Sequence, residues 1–459
     1  MKKLPKVFIL GQGPGGLGAA LALAGKADII IVDKGPNIED RVGSGTIAEG
    51  ITGLGGAGGG SDFKCGLAIK EIGGSLPEII GFSKTKEKIE EFQNIIFKFA
   101  GEQKIYEPSP TYFNKIKREG LKYGLKLLPN RIFHLGSDGA IEVIKAIRDY
   151  LISKGIEFRY ETEVMSIKKK DNKFRINCHK KECAAGQDYT EVVDYIAAFP
   201  GRSSSKSFQK IAENAGVELS GEVPIIDLGC RLETSMAVME PLKEFYESKF
   251  IYYASNDRKV RLFCQCPNGF VTTEEHYGED DHYTTVNGYS NKSAKSDTCN
   301  FAILVSERLT RPFRDAFGFG KSIAQLHNAL AADKQILCQR FEDLARNKRS
   351  STKTLKRLSF EPSLDAEPGS AQLAMPSMFL DSITEFIIAM DKLLPGLRYD
   401  SLLYFPEIKF YNTSMNLTNE LETTVPGFYC GGDGSGATRS ISMAMASGLH
   451  IGEAIKNND

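Results

Sequence analysis

Continuous apolar runs and helical patterns alternate at the start of the chain. Residues 7–10 and 29–32 are short apolar runs, and the stretch from Leu17 to Ala24 between them is rich in alanine and leucine. Short apolar runs of this kind predict buried strands, whereas the longer alanine-rich stretch predicts a helix. A strand, a helix and a second strand in this order predict a parallel α/β unit.

A different pattern, in which strands carry alternating apolar and polar residues, begins at about residue 217. Six strands are predicted, at 224–232, 250–254, 260–266, 269–273, 284–287 and 300–305. Closely spaced strands without helices between them predict an antiparallel sheet. Helices are then expected at 314–332, 334–346 and 381–394. A strand at 402–410 is expected to return the chain to the first domain.

These changes of pattern predict an α/β domain that is interrupted in sequence. A chain of 459 residues exceeds one ordinary hydrophobic core, so two or three domains are expected. We expect the α/β domain to comprise residues 1–83, 126–216 and 401–459. A charged helical insertion is expected at 84–125, and the antiparallel sheet is expected to form a second domain at 217–400.

The charge balance and the cysteines narrow the choice of partners and compartment. Lysine plus arginine and aspartate plus glutamate are equal at 58 each, so no excess charge favours nucleic acid or an acidic membrane surface. No apolar run is long enough to span a bilayer. Nine cysteines without a C-x-x-C pair favour reduced thiols in a cytoplasmic protein. Cys178, His179 and Cys183 lack a second ligand pair nearby, so no metal site is expected.

A glycine-rich turn of the G-x-G-x-x-G type follows the first apolar run. Gly11 permits the tight turn, Gly13 lets the backbone approach a pyrophosphate, and Gly16 lets the helix pack closely on the strand. The helix start adds amide donors and the positive end of the helix dipole. Asp33 ends the second strand about 20 residues further on, where a carboxylate can bind a ribose hydroxyl. These features predict a dinucleotide site, with a glycine-rich turn that binds no ligand as the alternative.

A second glycine-rich turn lies near the end of the chain, after the apolar run 428–430. It contains Asp433 and precedes a predicted helix at 442–455. In this arrangement the chain resembles FAD enzymes of the glutathione-reductase type. The resemblance implies that Asp433 binds the ribityl chain of FAD and that the helix start faces the flavin pyrimidine. Further similar stretches lie at 33–35, 163–164, 166–167 and 197–201.

The resemblance implies a fold class and a set of cofactor-binding residues. The fold class is α/β, with a Rossmann-type FAD-binding domain that is discontinuous in sequence and an inserted antiparallel-sheet substrate domain. The glycine-rich segment from Gly43 to Ser61 is expected to lie against the isoalloxazine ring and to donate amides to it, with a flexible linker as the alternative. The implied cofactor-binding residues are Gly11, Gly13, Pro14, Gly15, Gly16, Asp33, Lys34, Gly56, Ala57, Ser61, Val164, Phe199, Gly201, Gly432, Asp433, Ser440, Ile441 and Ser442.

Stretches in both expected domains are similar to the family of predicted FAD-dependent dehydrogenases within that class. They lie at 53–64, 133–138, 223–233, 261–271 and 286–288. Two places depart from the family pattern. The aromatic residue and the glycine have changed places in residues 60–64, and the late Glu-x-Arg is Glu407-Ile408-Lys409. Because lysine cannot form the forked contact of arginine, the resemblance implies a flavin and a fold but no particular substrate.

Several flavin chemistries lack their usual residues in this chain. Pro200 stands where flavin hydroxylases carry an acidic residue, and the chain has no tryptophan of the kind that halogenases carry. Neither a disulfide-reductase C-x-x-C nor a second G-x-G-x-x-G for a nicotinamide domain occurs. The expected activity is therefore hydride transfer between flavin N5 and a small organic substrate, with a transient nicotinamide cofactor or redox partner. A mono-oxygenase without the usual hydroxylase motif and a non-catalytic flavin-binding protein remain as alternatives.

Glu407, Lys409 and His134 are the leading candidates for catalysis. Glu407 and Lys409 share one face of a predicted strand and are placed to polarise a substrate, with a structural ion pair as the alternative. His134 and His276 are candidate proton donors, with ordinary hydrogen bonding as the alternative for each. The expected partners are small molecules, with neither nucleic acid nor a membrane.

Overall fold

The structure is a computed structural model of the chain. It describes residues 4–43, 52–69, 73–181, 187–201, 205–220, 225–277, 282–290, 294–310, 312–313, 315–410 and 415–458. The chain forms two compact units. The first comprises Met1–Lys104, Phe133–Glu222 and Asn412–Asp459, and the second comprises Ile105–Ile132 and Val223–Tyr411.

A five-stranded parallel sheet forms the centre of the first unit. Its strands are β1 (Lys6–Leu10), β2 (Asp28–Val32), β6 (Glu157–Arg159), β10 (Tyr195–Ala198) and β20 (Phe428–Cys430). They lie in the order β20-β10-β1-β2-β6, and every neighbouring pair is parallel. Val7, Phe8 and Ile9 of the central strand are fully buried, as expected where both faces of a parallel sheet are covered.

Helices of the first unit surround this sheet. They are α1 (Pro14–Leu23), α2 (Ile38–Gly43), α3 (Gly56–Gly59), α4 (Leu76–Ile80), α5 (Phe82–Ala100), α7 (Gly136–Ser153), α8 (Ser205–Asn214) and α13 (Ile441–Asn457). Helices α1 and α13 approach each other closely, since a Cβ added at Gly448 would lie 1.9 Å from the carbonyl oxygen of Gly15. The small residues of α13 therefore allow it to pack against the helix that follows the glycine-rich turn.

A three-stranded antiparallel sheet completes the first unit. It consists of β7 (Thr162–Lys170), β8 (Lys173–Lys180) and β9 (Gln187–Val193). Phe174 and Ile176 of this sheet share a buried cluster with Phe8 and Phe428 of the parallel sheet. Two short strands, β3 (Cys65–Gly66) and β5 (Ile132–Phe133), pair with each other in a separate two-stranded sheet.

The second unit is built on an eight-stranded sheet of order β18-β17-β19-β11-β16-β13-β12-β4. The strands are β4 (Lys126–Leu128), β11 (Ile225–Ser235), β12 (Lys249–Tyr253), β13 (Lys259–Pro267), β16 (Thr298–Arg308), β17 (Leu337–Arg340), β18 (Glu367–Pro368) and β19 (Ser401–Phe410). Strands β14 (Phe270–Tyr277) and β15 (His282–Tyr289) form a separate hairpin. The helices are α6 (Pro110–Leu121), α9 (Ala316–Ala331), α10 (Phe341–Ala345), α11 (Thr352–Leu355) and α12 (Ser377–Leu393).

The two faces of this larger sheet differ in chemistry. Alternate residues of β11, such as Leu228 and Leu232, join the main apolar core with side chains of α9 and α12. The intervening residues Asp227, Arg231 and Glu233 are also at most 1% exposed. Burying charged side chains is costly unless they are paired, so the polar face must supply partners for them.

The structure confirms the mixed α/β class and corrects several local predictions. Residues 334–346, predicted as a helix, contain strand β17 and the short helix α10, because all four residues of β17 are buried and pair with β19. Strand β19, expected to return to the first domain, pairs with β11 and β17 in the second unit. The predicted insertion 84–125 is divided between the units, with α5 in the first and α6 in the second.

Smaller differences concern loops. Cys178 and His179 lie in strand β8 rather than in the turn beyond it, and Cys183 lies outside the described residues. The glycine-rich segment 43–61 contains the one-turn helix α3, and its residues 44–51 are also outside the described ranges. Among the helices that the structure describes, none is long and apolar enough to cross a membrane. The same described residues contain no His, Cys, Asp and Glu group that could hold a metal ion.

Candidate functional site

A cleft in the first unit opens at the carboxyl ends of its parallel strands. Leu10 ends β1, Asp33 follows β2, Phe199 follows β10 and Asp433 follows β20, and all four residues line the cleft. Ligands of open α/β sheets bind at this edge, because the strand ends and the following helix starts converge there. The cleft is open on one side, and its empty space of about 1140 Å³ includes solvent on that side.

Most of the cofactor-binding residues predicted from the sequence line this cleft. The exceptions are Gly16, Ser61 and Ser442. The lining residues outside the set of implied cofactor-binding residues are Leu10, Val32, Thr52, Thr162, Glu163, Pro200, Ser207, Phe208, Ile211 and Ala444. Phe208 and Ile211 belong to α8, whose amphipathic pattern predicts a helix but gives no sign of what its apolar face contacts.

The first glycine-rich turn has the geometry that close approach to a ligand requires. Gly11 has a φ of 99°, and a Cβ there would lie 2.4 Å from the carbonyl oxygen of Phe199. A Cβ at Gly16 would lie 1.8 Å from the carbonyl oxygen of Gly11, so Gly16 packs the helix on the strand. Helix α1 begins after Gly13 without a side-chain cap, and its first amides therefore remain available to an anion.

Asp33 joins three segments of the cleft wall. Its Oδ2 accepts a hydrogen bond of 2.9 Å from the amide of Gln12, in the glycine-rich turn. Its Oδ1 accepts bonds from the amides of Gly35 at 2.9 Å and Gly53 at 2.8 Å. The carboxylate thus holds together the first glycine-rich turn, the end of β2 and the glycine-rich segment 43–61. It also lines the cleft.

The glycine-rich segment lies beside the first turn. Gly56 and Ala57 line the cleft, and a Cβ at Gly56 would lie 3.0 Å from the Cα of Gly13. The amide of Gly55 donates to the carbonyl oxygen of Gln12 at 2.9 Å. The described part of the segment therefore forms a wall next to the first glycine-rich turn, and its contact with the isoalloxazine ring stays a prediction.

The second turn presents Asp433 to the cleft and is held by neighbouring hydroxyl groups. Thr438 Oγ1 donates to Asp433 Oδ1 at 2.8 Å. The amide of Gly432 donates to Ser447 Oγ at 3.1 Å, which anchors the turn to α13. Ser440 caps α13, because its Oγ accepts from the amide of Met443 at 3.1 Å. Ser440, one of the residues implied to bind the cofactor, is therefore the N-cap of α13.

The donor set of the cleft suits a long ligand with an anionic centre. Two helix starts, of α1 and α13, supply amides and positive dipole ends. Asp33 and Asp433 supply acceptors for hydroxyl groups, and Phe208 and Ile211 supply an apolar wall. FAD has a central pyrophosphate, two hydroxyl-bearing chains and two aromatic ring systems, so these residues fit it.

Glu407 and Lys409 lie in the second unit, on the polar face of β19. Glu407 is fully buried, and its Oε2 lies 3.1 Å from a terminal nitrogen of Arg231, whose side chain is also fully buried. Lys409 Nζ lies 3.6 Å from Glu407 Oε1 and 3.4 Å from Glu274 Oε2, and its side chain is 20% exposed. The two predicted residues therefore belong to one buried ionic network.

Arg231 is the centre of that network and was not identified in the sequence. Its Nε donates to Asn300 Oδ1 and another nitrogen donates to the carbonyl oxygen of Cys264, each at 2.9 Å. Cys264 has a φ of 55° at a β-bulge in β13, which turns that carbonyl toward the guanidinium. Burial would lower the pKa of Arg231, but the carboxylate of Glu407 holds the pKa above its ordinary value.

The candidate histidines lie outside the cleft lining. His134 is half-buried in the first unit, directly before α7. His276 belongs to the β14–β15 hairpin, where its Nε2 lies 2.9 Å from Thr285 Oγ1 and its ring stacks on Tyr283. His276 therefore makes ordinary structural contacts, and the role of His134 as a proton donor stays a prediction.

One family model matches the chain. Residues 240–408 match the model described as FAD-dependent protein, C-terminal domain-like. The matched residues lie within the second unit and include Glu407. FAD, the cofactor predicted from the sequence, is confirmed by this match. No curated protein matches the chain in sequence.

Solved structures are similar to the chain at low sequence identity. L-proline dehydrogenase from P. horikoshii is 11% identical over 100% of this chain and 95% of its own, with a TM-score of 0.45. Glycine oxidase from Geobacillus kaustophilus is 11% identical over 99% and 95%, with a TM-score of 0.41. CtdE in complex with FAD is 10% identical over 100% and 86%, with a TM-score of 0.36.

Proposed function

We propose that the chain is an FAD-dependent oxidoreductase that transfers a hydride between bound FAD and a small organic substrate. The observation that carries this proposal is the cleft of the first unit, where both glycine-rich turns, Asp33 and Asp433 line one continuous surface. The five-stranded parallel sheet below the cleft supports a Rossmann-type FAD-binding domain of the glutathione-reductase type. FAD supplies a two-electron carrier that takes up or gives back a hydride.

In this proposal the residues of the cleft bind and orient the cofactor. The start of α1 faces the pyrophosphate, where its uncapped amides and dipole favour negative charge. Asp33 would accept a hydrogen bond from a hydroxyl of the adenosine ribose, and Asp433 would accept one from a hydroxyl of the ribityl chain. The start of α13, with Ile441 in the cleft lining, faces the flavin pyrimidine and favours the reduced, anionic ring.

We further propose that Lys409 is the substrate-polarising group of the second unit. The Lys409 side chain is 20% exposed, whereas Glu407 is fully buried against Arg231 and cannot meet a substrate directly. Glu407 would then act as the counter-charge that holds Lys409 in place, with His134 as the candidate proton donor. A purely structural ion network is the competing interpretation, and the two differ in what each substitution does to stability.

The proposed partners follow from the reaction. The substrate is a small molecule, and a nicotinamide cofactor or a redox protein binds transiently to exchange electrons with the flavin. Neither nucleic acid nor a membrane is proposed as a partner, because the chain carries equal numbers of acidic and basic residues.

Anaerobic reduction of the FAD-loaded protein tests the proposed activity. Amino acids, 2-hydroxy acids, amines, NADH and NADPH are added separately, and bleaching of the flavin absorbance is followed by stopped-flow spectroscopy. We expect one of the three classes of organic substrate (amino acids, 2-hydroxy acids or amines) to bleach the flavin in single turnovers. Bleaching by NADH or NADPH alone, followed by incorporation of labelled oxygen into an added substrate, would establish the mono-oxygenase alternative. An FAD-loaded protein that no compound reduces would indicate a non-catalytic flavin-binding protein.

A further inference from the structure

Arg41 holds the glycine-rich wall of the cleft from behind. It follows β2 in helix α2, and it is only 8% exposed. One terminal nitrogen donates to the carbonyl oxygen of Gly56 at 2.9 Å, and the other donates to the carbonyl oxygen of Leu54. Both acceptors belong to the segment that places Gly56 and Ala57 in the cleft lining.

Two glycines of the segment leave room for this side chain. A Cβ at Gly59 would lie 2.8 Å from a terminal nitrogen of Arg41, and a Cβ at Gly53 would lie 3.2 Å from its Cδ. A larger residue at Gly59 would therefore press on the guanidinium, whereas at Gly53 the nearest atom is the carbonyl oxygen of Pro36, at 2.3 Å. Part of the glycine content of the segment is thus explained by Arg41 rather than by the cofactor.

Arg41 and the glycine-rich turn hold opposite sides of the same peptide. In a trans peptide the carbonyl and the following amide point in opposite directions. The carbonyl of Leu54 points to Arg41, and the next amide, of Gly55, donates to the carbonyl oxygen of Gln12 at 2.9 Å. Orientation by Arg41 therefore directs this peptide onto the turn that faces the pyrophosphate.

The electrostatics agree with this geometry. Burial lowers the pKa of Arg41 to about 10, and the nearby carboxylate of Asp33 opposes that decrease. The guanidinium therefore remains charged at neutral pH. A buried cation is stable only while its hydrogen-bonding partners stay in place, so Arg41 and the segment stabilise each other.

We propose that Arg41 is a positioning residue for the cofactor site. Arg41 holds residues 53–59 against the first glycine-rich turn before FAD binds. This inference rests on the proposed FAD site and concerns how that site is prepared. A wall that Arg41 orders in the apoprotein spares the cofactor the free energy of ordering it on binding. Arg41 donates to two backbone carbonyls of the segment and is not among the residues that line the cleft.

The test compares Arg41→Lys with Arg148→Lys. Lysine keeps the charge at position 41 but cannot donate to two separate carbonyls as the fork of arginine does. Arg148 is a matched control, since it binds helix α2 from α7, with 3.0 Å to Asn37 Oδ1 and 2.7 Å to Glu39, and lines no part of the cleft. Gly59→Ala is a second variant, whose methyl group would lie 2.8 Å from a terminal nitrogen of Arg41 and 3.1 Å from the carbonyl oxygen of Leu54, so it disturbs this contact without altering the charge.

Two measurements are made on the full-length protein. FAD is titrated into each apoprotein to obtain the dissociation constant. We expect Arg41→Lys to weaken binding about 10- to 100-fold, the effect of one lost hydrogen bond from a charged donor. Gly59→Ala should change the constant in the same direction, and Arg148→Lys should leave it within about twofold. Hydrogen exchange of the apoproteins should show faster exchange at 53–59 in the first two variants, with unchanged exchange in strand β1.

The outcomes separate this inference from the proposed function. Unchanged FAD affinity in Arg41→Lys and Gly59→Ala overturns the inference. Weaker affinity with unchanged exchange at 53–59 also overturns it, since Arg41 would then act through its charge alone. A parent protein that binds no FAD contradicts the proposed function, whereas the exchange measurement on apoprotein still shows whether Arg41 orders the segment. If Arg41→Lys loses its fold, as shown by exchange in β1, the Gly59→Ala result decides.

Discussion

The side chains of Arg231 and Glu407 are fully buried in the second unit, whereas the neighbouring Lys409 remains partly exposed. Removing one member of a fully buried ion pair leaves an uncompensated charge, which is far costlier than removing an exposed partner. Arg231 and Glu407 are therefore expected to keep the unit folded. Lys409 is the member of the three that is accessible for the proposed contact with a substrate.

Substitution of Glu407 and Lys409 should have different effects. We expect Glu407→Gln to lower the free energy of opening of strands β11 and β19 by about 3–5 kcal/mol, because Arg231 loses its counter-charge. Lys409→Gln should lower this free energy of opening by at most about 1 kcal/mol. The same substitution should slow the reduction of the flavin by the substrate. Native-state hydrogen exchange and single-turnover kinetics measure the two effects. A Lys409→Gln protein with normal turnover would favour a purely structural network.

Asp433 is the residue of the cleft whose loss should weaken FAD retention directly. We expect Asp433→Ala to weaken FAD binding by about 1–3 kcal/mol, since hydrogen bonds to a carboxylate are lost. The measurement is a titration of FAD into apoprotein. Asp28→Ala, an exposed position at the start of β2, serves as the control and should leave the affinity unchanged. Equal affinities for Asp433→Ala and the parent would remove the residue from the cofactor site.

His327 gives the second unit a sensitivity to acid. Its ring is fully buried, its Nδ1 lies 2.8 Å from the carbonyl oxygen of Ile323, and it stacks on Phe405. Burial lowers its pKa from 6.5 to about 4. Between these two values the unfolded chain binds a proton that the folded chain does not. Stability is therefore intact above pH 6.5 and is lost progressively as the pH falls toward 4.

The size of this loss can be measured with one variant. From the two pKa values, lowering the pH from about 7.5 to about 5 should cost the parent about 2 kcal/mol through His327. His327→Phe keeps an aromatic ring beside Phe405 and removes the titration. We expect the difference in stability between parent and variant to change by that amount in urea unfolding at the two pH values. A constant difference would show that His327 does not titrate in this range.

At the scale of elements, the start of α13 combines an observed cap with a position on the cleft. Ser440 caps the helix, so Ile441 is its first residue and lines the cleft. Proline fits the first helical position but lacks the amide hydrogen. The element therefore allows one amide donor to be removed without breaking the helix.

Ile441→Pro should make the two-electron reduction potential of the flavin more negative. A helix start stabilises an anion by about 0.5–2 kcal/mol, which corresponds to about 10–40 mV for two electrons. Ile441→Ala is the control, because it shortens the side chain and keeps the amide. Potentials are measured at matched FAD occupancy. If Ile441→Pro and Ile441→Ala have the same potential, this helix start does not stabilise the reduced flavin.

At the scale of the whole molecule, the chain consists of two units with separate cores. The first unit carries the cleft and is assembled from three separate stretches of sequence. The second unit contains the residues that match the FAD-dependent family model, and it contains the buried ionic network. Each unit closes around residues far apart in sequence, so neither core is formed by one continuous stretch of the chain.

The whole protein should release its cofactor intact when it unfolds. The cleft offers amides, carboxylates and apolar side chains for FAD, and the proposal includes no covalent link. We expect acid precipitation of the purified yellow protein to leave FAD in the supernatant, identified by chromatography. Flavin that stays with the pellet would indicate covalent attachment, and FMN in the supernatant would contradict the assignment of the dinucleotide.

Local sequence determined the parts of the cleft whose chemistry depends on spacing along the chain. A tight turn between a strand and a helix requires glycines at Gly11 and Gly16, and the acid at the end of β2 follows at a fixed distance. The parallel α/β pattern is also a local signal, readable from neighbouring residues. For these features the sequence sufficed, because the interactions that form them lie within one turn or one element.

Tertiary structure decided everything that depends on partners distant in sequence. Arg231 meets Glu407 across 176 positions, so no local pattern identifies the arginine as the buried centre of the network. Strand β17 was predicted as a helix, because only its pairing with β19 and its burial favour the extended form. Likewise, the sequence identified the glycines around residue 56, whereas Arg41 as their anchor depends on a fold that brings a buried cation onto two carbonyls.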